Sequence, residues 1–447
     1  MNPPFPTVRT PAASRRFQSP AIEEAINRFK ADTPDPELGW LFENCFPNTL
    51  DTTVFFQMLD GKPDTTIITG DIDAMWLRDS CAQVWPYLPF MAQDPNLKRL
   101  VAGLIHRQTR CILLDPYANA FYGDAEKVGY WKSDLTDMKP GIHERKWEID
   151  SLCYPIRLAY AFWQATGDTT PFDANWQDGI RATLRTFREQ QRKDGPGPYR
   201  FARVTSHATD TLPMSGAGYP IKPNGLIVSS FRPSDDASVF GFLVPSNFFA
   251  VVSLRQAATL WEQVSQDAQT PRGLRALADE VEAALQEHAI VEHPKYGRVY
   301  AYEINGFGSY LLMDDANVPG LLSLPYLGAV KADDAIYGNT RRLLLSDDNP
   351  FFFQGKVAQG IGGPHVGMDM IWPMALVLRA LTSSDESEIR EAVQMLKRSH
   401  AGTGFMHEAF HKDDARRFTR EWFAWTNTLF GELLWHLHQS NPALLQA

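Results

Sequence analysis

SNFFAVVSLRQAATLWEQV, residues 246–264, reads as one long amphipathic helix behind a polar start signal, Ser246-Asn247. Runs of the same kind begin near Ala21, Leu77, Leu97, Trp147, Phe172, Arg272, Val318, Asp333, Met368, Asp385 and Glu421. Thr170-Pro171 sets a proline suited to the first helical position ahead of FDANWQDGIRATLRTFREQQ. Ser383 stands three residues before Glu386, the spacing of a capping box. Convincing strand runs are few: Arg200–Val204 and Tyr296–Tyr302. Helix-loop-helix units recur at roughly 40–70 residues without a fixed repeat. The expected fold class is therefore all-α, an (α/α)6 toroid or barrel of six helical hairpins with minor β-hairpin insertions, one set of loops forming a cleft. Two separate helical domains are the alternative. No Ser/Gly linker or charge run divides the chain, so one domain over 21–447 is favoured, behind an N-terminal arm, 1–20, expected to be disordered.

Bulk properties narrow the function. A chain of 447 residues exceeds the usual size of one compact core, and a closed toroid is one escape from that ceiling. Hydrophobic residues at 44% and charged residues at 21% are ordinary for a globular enzyme, whereas 12 Trp point mildly to a stacking site. The net charge of −10 argues against a nucleic-acid or anionic-membrane partner, both of which need a basic surface. Cys45, Cys81, Cys111 and Cys153 are widely spaced with no C-x-x-C, so reduced, mostly buried thiols are expected. No apolar run approaches a membrane span, and the Pro-rich start lacks the apolar core of a secretory signal. A cytoplasmic location is the resulting expectation.

The chemistry concentrates in Gly70-Asp71-Ile72-Asp73-Ala74-Met75-Trp76-Leu77-Arg78-Asp79-Ser80. Three carboxylates, a guanidinium and an indole fit neither a solvated face nor a plain core helix. A partly buried cleft accommodates them, with the indole stacking on a ring and Asp and Arg gripping its hydroxyls, a combination suited to carbohydrate. A structural Arg78–Asp79 ion pair at a helix start is the alternative. Five further polar clusters fall mostly between helices: 146–151, 231–236, 313–317, 360–365 and 402–408.

Glycosidic hydrolysis needs one protonated and one ionised carboxyl group. Asp235 and Asp236 are the acid candidates, since adjacent desolvated carboxylates raise one another's pKa. Glu408, in a Gly-rich loop beside His407, is the base candidate, with Glu421 in reserve. His407-Glu408-Ala409-Phe410-His411 also matches the H-E-x-x-H zinc-peptidase pattern. Gly402 and Gly404 upstream, the charged KDDARRFTR downstream and the lack of an obvious third ligand speak against it. A sugar-binding toroid without catalysis is a third reading.

TGDIDAMWLRDS, FRPSDDAS with VPSNFFAVV, LLMDDANVPGLLSLPYLG, and GFMHEAF with FTREWFAWTNTLFGELL resemble glycoside hydrolase family 125, from about Leu38 to about Leu434. The resemblance implies an (α/α)6 toroid and a metal-independent exo-α-mannosidase that needs no cofactor. Its substrate would be an oligosaccharide ending in α-1,6-linked mannose, released with inversion. It implies that the acid is Asp235 or Asp236, leaning to Asp235, and that the base is Glu408. Asp73, Trp76, Arg78, Asp79, Asp315, Asn317, His365 and Trp425 would bind the mannose. An (α/α)6 hydrolase acting on another sugar remains a further alternative.

Overall fold

The computed structural model describes residues 5–446. Among these are twelve α-helices of eight residues or more. They are α1 Pro20–Asp32, α2 Pro36–Cys45, α3 Leu77–Val84, α4 Pro95–Leu114, α5 Ile149–Thr166, α6 Ala174–Gln190, α7 Val244–Val264, α8 Gln269–His288, α9 Ala335–Leu344, α10 Pro373–Leu381, α11 Glu386–Ser399 and α12 Ala424–Ser440. Sheets are small, of two or three short strands.

The helices form two concentric layers. In the inner one α3 packs on α5, α5 on α7, α10 on α12, and α12 back on α3. Between α7 and α10 the chain expected to be helical from Val318 winds instead through irregular turns. Pro319, Gly320, Pro325 and Gly328 break up its apolar periodicity. The segment is nonetheless anchored to the ring: the Tyr154 hydroxyl of α5 donates to the Val318 carbonyl at 2.9 Å, and the Tyr326 hydroxyl donates to Glu432 of α12 at 2.9 Å. Around the outside α4, α6, α8, α9 and α11 cover this ring, with α1 and α2 packed beside α12.

Layer and sequence agree. α7 and α12 bury residues on all sides, as inner helices must, whereas α6 and α11 each keep a polar face. Helix starts split the same way, except that the outer α8 follows Ala268 without a side-chain cap. Ser19, Asp35, Asp94, Asp173, Asp334 and Asp385 cap α1, α2, α4, α6, α9 and α11 through side-chain oxygens. The inner helices begin after Trp76, Glu148, Leu243, Trp372 and Phe423, with no side-chain cap. Their positive dipole ends face the loops that lie there, while the first N–H groups at Leu77, Ile149 and Val244 are taken by Asn119 O, Ser229 Oγ and Tyr302 O.

Three expected start signals are displaced. α7 starts at Val244, with Pro245 in its first turn; Asn247 instead pins the chain, accepting from Ile227 N at 2.8 Å and donating to Leu243 O at 2.9 Å. α6 is capped by Asp173 rather than opened by Pro171. α11 is capped by Asp385, while the Ser383 hydroxyl bonds Glu388 rather than completing a capping box. Of the strand runs, Gly297–Tyr300 pairs with Ile290–His293, but Arg200–Val204 keeps only a bridge from Ala202 to Leu135. Within the expected N-terminal arm, residues 1–4 lie outside those described. Phe5 stacks on Trp40 at 4.9 Å, and buried Arg9 pairs with Asp51 at 2.7 Å, so residues 5–19 run against the body. All four cysteines are buried and unpaired.

Candidate active site

The uncapped starts of α3, α10 and α12 meet loops 231–236, 313–317, 360–365 and 402–408 around a cavity of about 190 Å³. It is lined by Trp76, Arg78, Asp79, Asp235, Asn317, His365, Glu408 and Trp425, together with Arg420, Trp372 and Phe423. Each of the six polar clusters contributes a side chain at the cavity or in contact with its wall. The ion-pair alternative is partly true: Arg78 lies 3.5 Å from Asp79, but as one edge of a larger network.

Arg78, 3% exposed, touches four carboxyl groups. Nη1 donates to Glu148 at 2.6 Å and to Asp150 at 3.4 Å, Nη2 donates to Asp235 at 3.0 Å, and Nε faces Asp79. Asn119 Nδ2 donates to Glu144 at 3.0 Å and reaches Glu148 and Asp235 at 3.3 Å, and Trp76 Nε1 donates to Asp235 at 3.3 Å. Burial dominates the acids behind the guanidinium. It lifts Asp79 and Asp150 to about 6 against the pull of Arg78, and Glu148 well above the glutamate range.

Asp235 sits in the tip of a tight turn. Arg232 N donates to Asp236 O, Asp235 N donates to Arg232 O, and Phe231 bridges Ala237. Its φ of +66° is a left-handed conformation that a non-glycine residue holds only under constraint. Lys146 supplies one, its Nζ donating to the Asp235 carbonyl at 2.8 Å. The carboxyl group faces the cavity. Asp236 points the other way, one oxygen 3.2 Å from His365 Nδ1 and the other buried without a partner. Burial opposes charge on His365, but the hydrogen bond and charge of Asp236 prevail and push the imidazole up to about 9. At neutral pH the ring is a cation.

Glu408 lines the opposite part of the cavity, just before the strand Ala409–His411, with Arg420 Nη1 3.5 Å away. Arg420 also pairs with Asp71. Gly70 approaches Trp422 so closely that a Cβ there would lie 2.8 Å from the indole. Segments 70–71 and 420–422 thus clasp each other at the cavity edge. Glu421 is exposed and outside the lining.

Two expected binding residues, Asp315 and Asp73, and one acid candidate, Asp236, lie off the cavity surface. Asp315 is buried behind it, accepting from Ser234 at 2.9 Å and Asn317 at 3.1 Å and so fixing two wall residues. Asp236 acts through His365. Asp73 is exposed and paired with Lys127 at 2.7 Å, on the rim of a separate cavity of about 650 Å³ lined also by Phe55 and Tyr122. The H-E-x-x-H match fails geometrically. His411 is in a strand, where residues four apart are separated by about 13 Å, not one helical turn. His407 stacks on Phe418 at 3.8 Å and bonds the Arg420 carbonyl at 3.2 Å. Among the described residues, no group of three His, Cys, Asp or Glu could hold a metal ion, and no helix is long and apolar enough to cross a membrane.

Residues 35–435 match the sequence profile of the metal-independent α-mannosidases, glycoside hydrolase family 125. The chain is 41% identical to the meiotically up-regulated gene 157 protein of Schizosaccharomyces pombe, over 99% of this chain and 90% of that protein. It superposes with a TM-score of 0.91 and 39% identity on a metal-independent α-mannosidase of Streptococcus pneumoniae. That structure is a non-productive complex with α-1,6-mannobiose, and the match covers 95% of this chain and all of the other. A bacterial glucoamylase complexed with acarbose shares the fold at 14% identity and a TM-score of 0.53, over 94% of this chain and 59% of the glucoamylase.

Proposed function

Because the chain belongs to the metal-independent α-mannosidases of glycoside hydrolase family 125, we propose that it removes α-1,6-linked mannose from the non-reducing end of oligosaccharides with inversion at C1. The observation that carries this reading is the small cavity with Asp235 and Glu408 both in its lining. Its volume is below the range of drug-sized pockets and suits one sugar ring, which favours terminal over internal cleavage.

In this reading Asp235 is the general acid. It protonates O6 of the departing sugar while the C1–O6 bond breaks. Glu408 takes a proton from the water that attacks C1 on the opposite face. Trp76 and Trp425 offer apolar faces to the mannose, and Arg78, Asp79 and Asn317 hold its hydroxyls. The cationic His365 offers an N–H donor to a mannose hydroxyl oxygen. The choice of Asp235 over Asp236 rests on exposure to the cavity. The oligosaccharide substrate and the cytoplasmic location remain part of the proposal.

A proton NMR time course on α-1,6-mannobiose tests the whole reading. β-Mannose should appear first and mutarotate to the α anomer. Initial α-mannose would overturn inversion. Release of mannose only from other linkages would overturn the α-1,6 assignment.

A further inference from the structure

We propose that Glu148 and Asp235 hold one proton between them, so that buried Glu148 acts as the positioning residue that keeps Asp235 supplied with the proton it delivers. The inference rests on Asp235 being the acid. Glu148 is fully buried and ends the loop before α5, where the Ser151 hydroxyl donates to its Oε2 at 2.9 Å. Its carboxyl group stands beside that of Asp235, an oxygen of each lying 3.3 Å from Asn119 Nδ2. The two are also bridged twice, by the paired nitrogens of Arg78 and by Asn119. Two carboxylates joined in this way, Glu148 fully buried and Asp235 open only to the small cavity, cannot both remain ionised at modest cost.

The charge inventory demands a proton. From α3, Arg78 and Asp79 face the pair, and Asp150 faces it from α5. On the side of Lys146, the cations are already engaged: Lys146 with Asp210 at 2.6 Å and Glu144 at 3.5 Å, and Arg203 with Asp134, Glu144 and Asp210 at 2.6–2.9 Å. His143 lies beyond Trp76 and is held neutral by burial. Across the cavity stand His365, itself paired with Asp236, and Glu408 with Arg420. Among the described residues, Arg78 is thus the guanidinium in direct contact with Asp79, Glu148, Asp150 and Asp235 together. Burial pushes Glu148 far toward its neutral form. It works the same way on Asp235, but Arg78 and Lys146 outweigh it and leave that carboxyl group low. At rest the shared proton sits on Glu148.

When substrate fills the cavity, the glycosidic oxygen becomes the acceptor. As the C1–O6 bond breaks, the single proton of the pair passes from Glu148 to Asp235 and from Asp235 on to O6. The attacking water leaves its proton on Glu408. Solvent then returns a proton to the Glu148–Asp235 pair, and Glu408 releases one to solvent, so the cycle balances.

Glu148→Gln in the full-length protein separates this role from a structural one. The amide keeps most of the contacts but carries no transferable acid proton, and Asp235 is left ionised beside Arg78. On α-1,6-mannobiose kcat/KM should fall ~10²–10⁴-fold, the general-acid range, with the high-pH limb of its profile moved to lower pH. On an aryl α-mannoside with an acidic nitrophenol leaving group, which needs no protonation, the loss should be under about tenfold. Equal losses on both substrates with an unmoved limb would overturn the proposal, as would unimpaired disaccharide turnover. Glu148→Asp gives the same split at smaller size and carries the test if the glutamine variant does not fold. Asp235→Asn run in parallel isolates the premise. If it still turns over the disaccharide, the acid assignment itself fails; if only it shows the split, the role of Glu148 alone fails.

Discussion

Arg78→Met removes one guanidinium from four acids: Glu148 at 2.6 Å, Asp235 at 3.0 Å, Asp150 at 3.4 Å and Asp79 at 3.5 Å. Two unit charges 4 Å apart interact by about 4 kcal/mol at an effective dielectric constant near 20. Four carboxylates abandoned in their ionised forms would therefore cost as much as a typical domain's entire stability. Proton uptake is cheaper. Burial already lifts Asp79 and Asp150 to about 6, so neutralising each at pH 7 costs about 1.4 kcal/mol. Glu148, raised further, costs least, and Asp235 costs most. The expected loss at neutral pH is about 3–5 kcal/mol, the range for breaking a buried pair, or a drop in Tm of roughly 3–5 °C for a chain of this size.

The sign with pH follows from the raised acids. In the parent, Asp79 and Asp150 withdraw stability as pH climbs from the ordinary value of 3.8 through about 6. Without Arg78 that window reaches higher. The folded variant then binds more protons than its unfolded chain near neutrality, and its stability falls as pH rises. Thermal unfolding followed by circular dichroism at mildly acidic and mildly alkaline pH should show the deficit narrowing toward acid. A deficit below about 1 kcal/mol at neutral pH, or one that widens on acidification, would refute the four-carboxyl account.

Other outcomes are equally checkable. Glu408→Gln should lower kcat ~10²–10⁴-fold while mannoside binding, read by calorimetry, is kept; near-normal turnover would place the base elsewhere. By histidine NMR, His365 should titrate near 9, so its charged form stabilises the fold fully below 6.5 and loses that effect as pH rises through 9. Asp236→Asn should return it toward 6.5, and an unmoved value would exclude Asp236 as the cause. Gly70→Ala places a methyl group 2.8 Å from Trp422 at a φ of +130°, so a strain of about 1–3 kcal/mol and a raised KM are expected. A variant with the parent's Tm and KM would show that the clasp between segments 70–71 and 420–422 is unimportant.

Reading the chain alone located much of the site. The 70–80 segment combines groups that only a half-buried wall can satisfy, and the loops bearing Asp235, Asn317, His365 and Glu408 stood out by the same logic. Arg420 was hidden inside KDDARRFTR, a run that resembles a solvated surface until Asp71 and Glu408 are seen beside it. Asn119 carries no local signal, because its importance is to tie together three acids 25, 29 and 116 residues away. Val318 misled because apolar spacing alone cannot register two prolines that forbid the helix it suggests.

Composition, helical periodicity and family strings were enough to determine an (α/α)6 fold, a glycosidase chemistry and the candidate pair, because these depend on local pattern and residue type. Tertiary structure decided where each carboxyl group stands. It turned Asp235 into the cavity and Asp236 toward His365, moved Asp315 and Asp73 off the surface of the site, and brought Glu148 against Asp235. Protonation depends on burial and on charges a few ångströms away, and neither is a property of a residue's place in the chain.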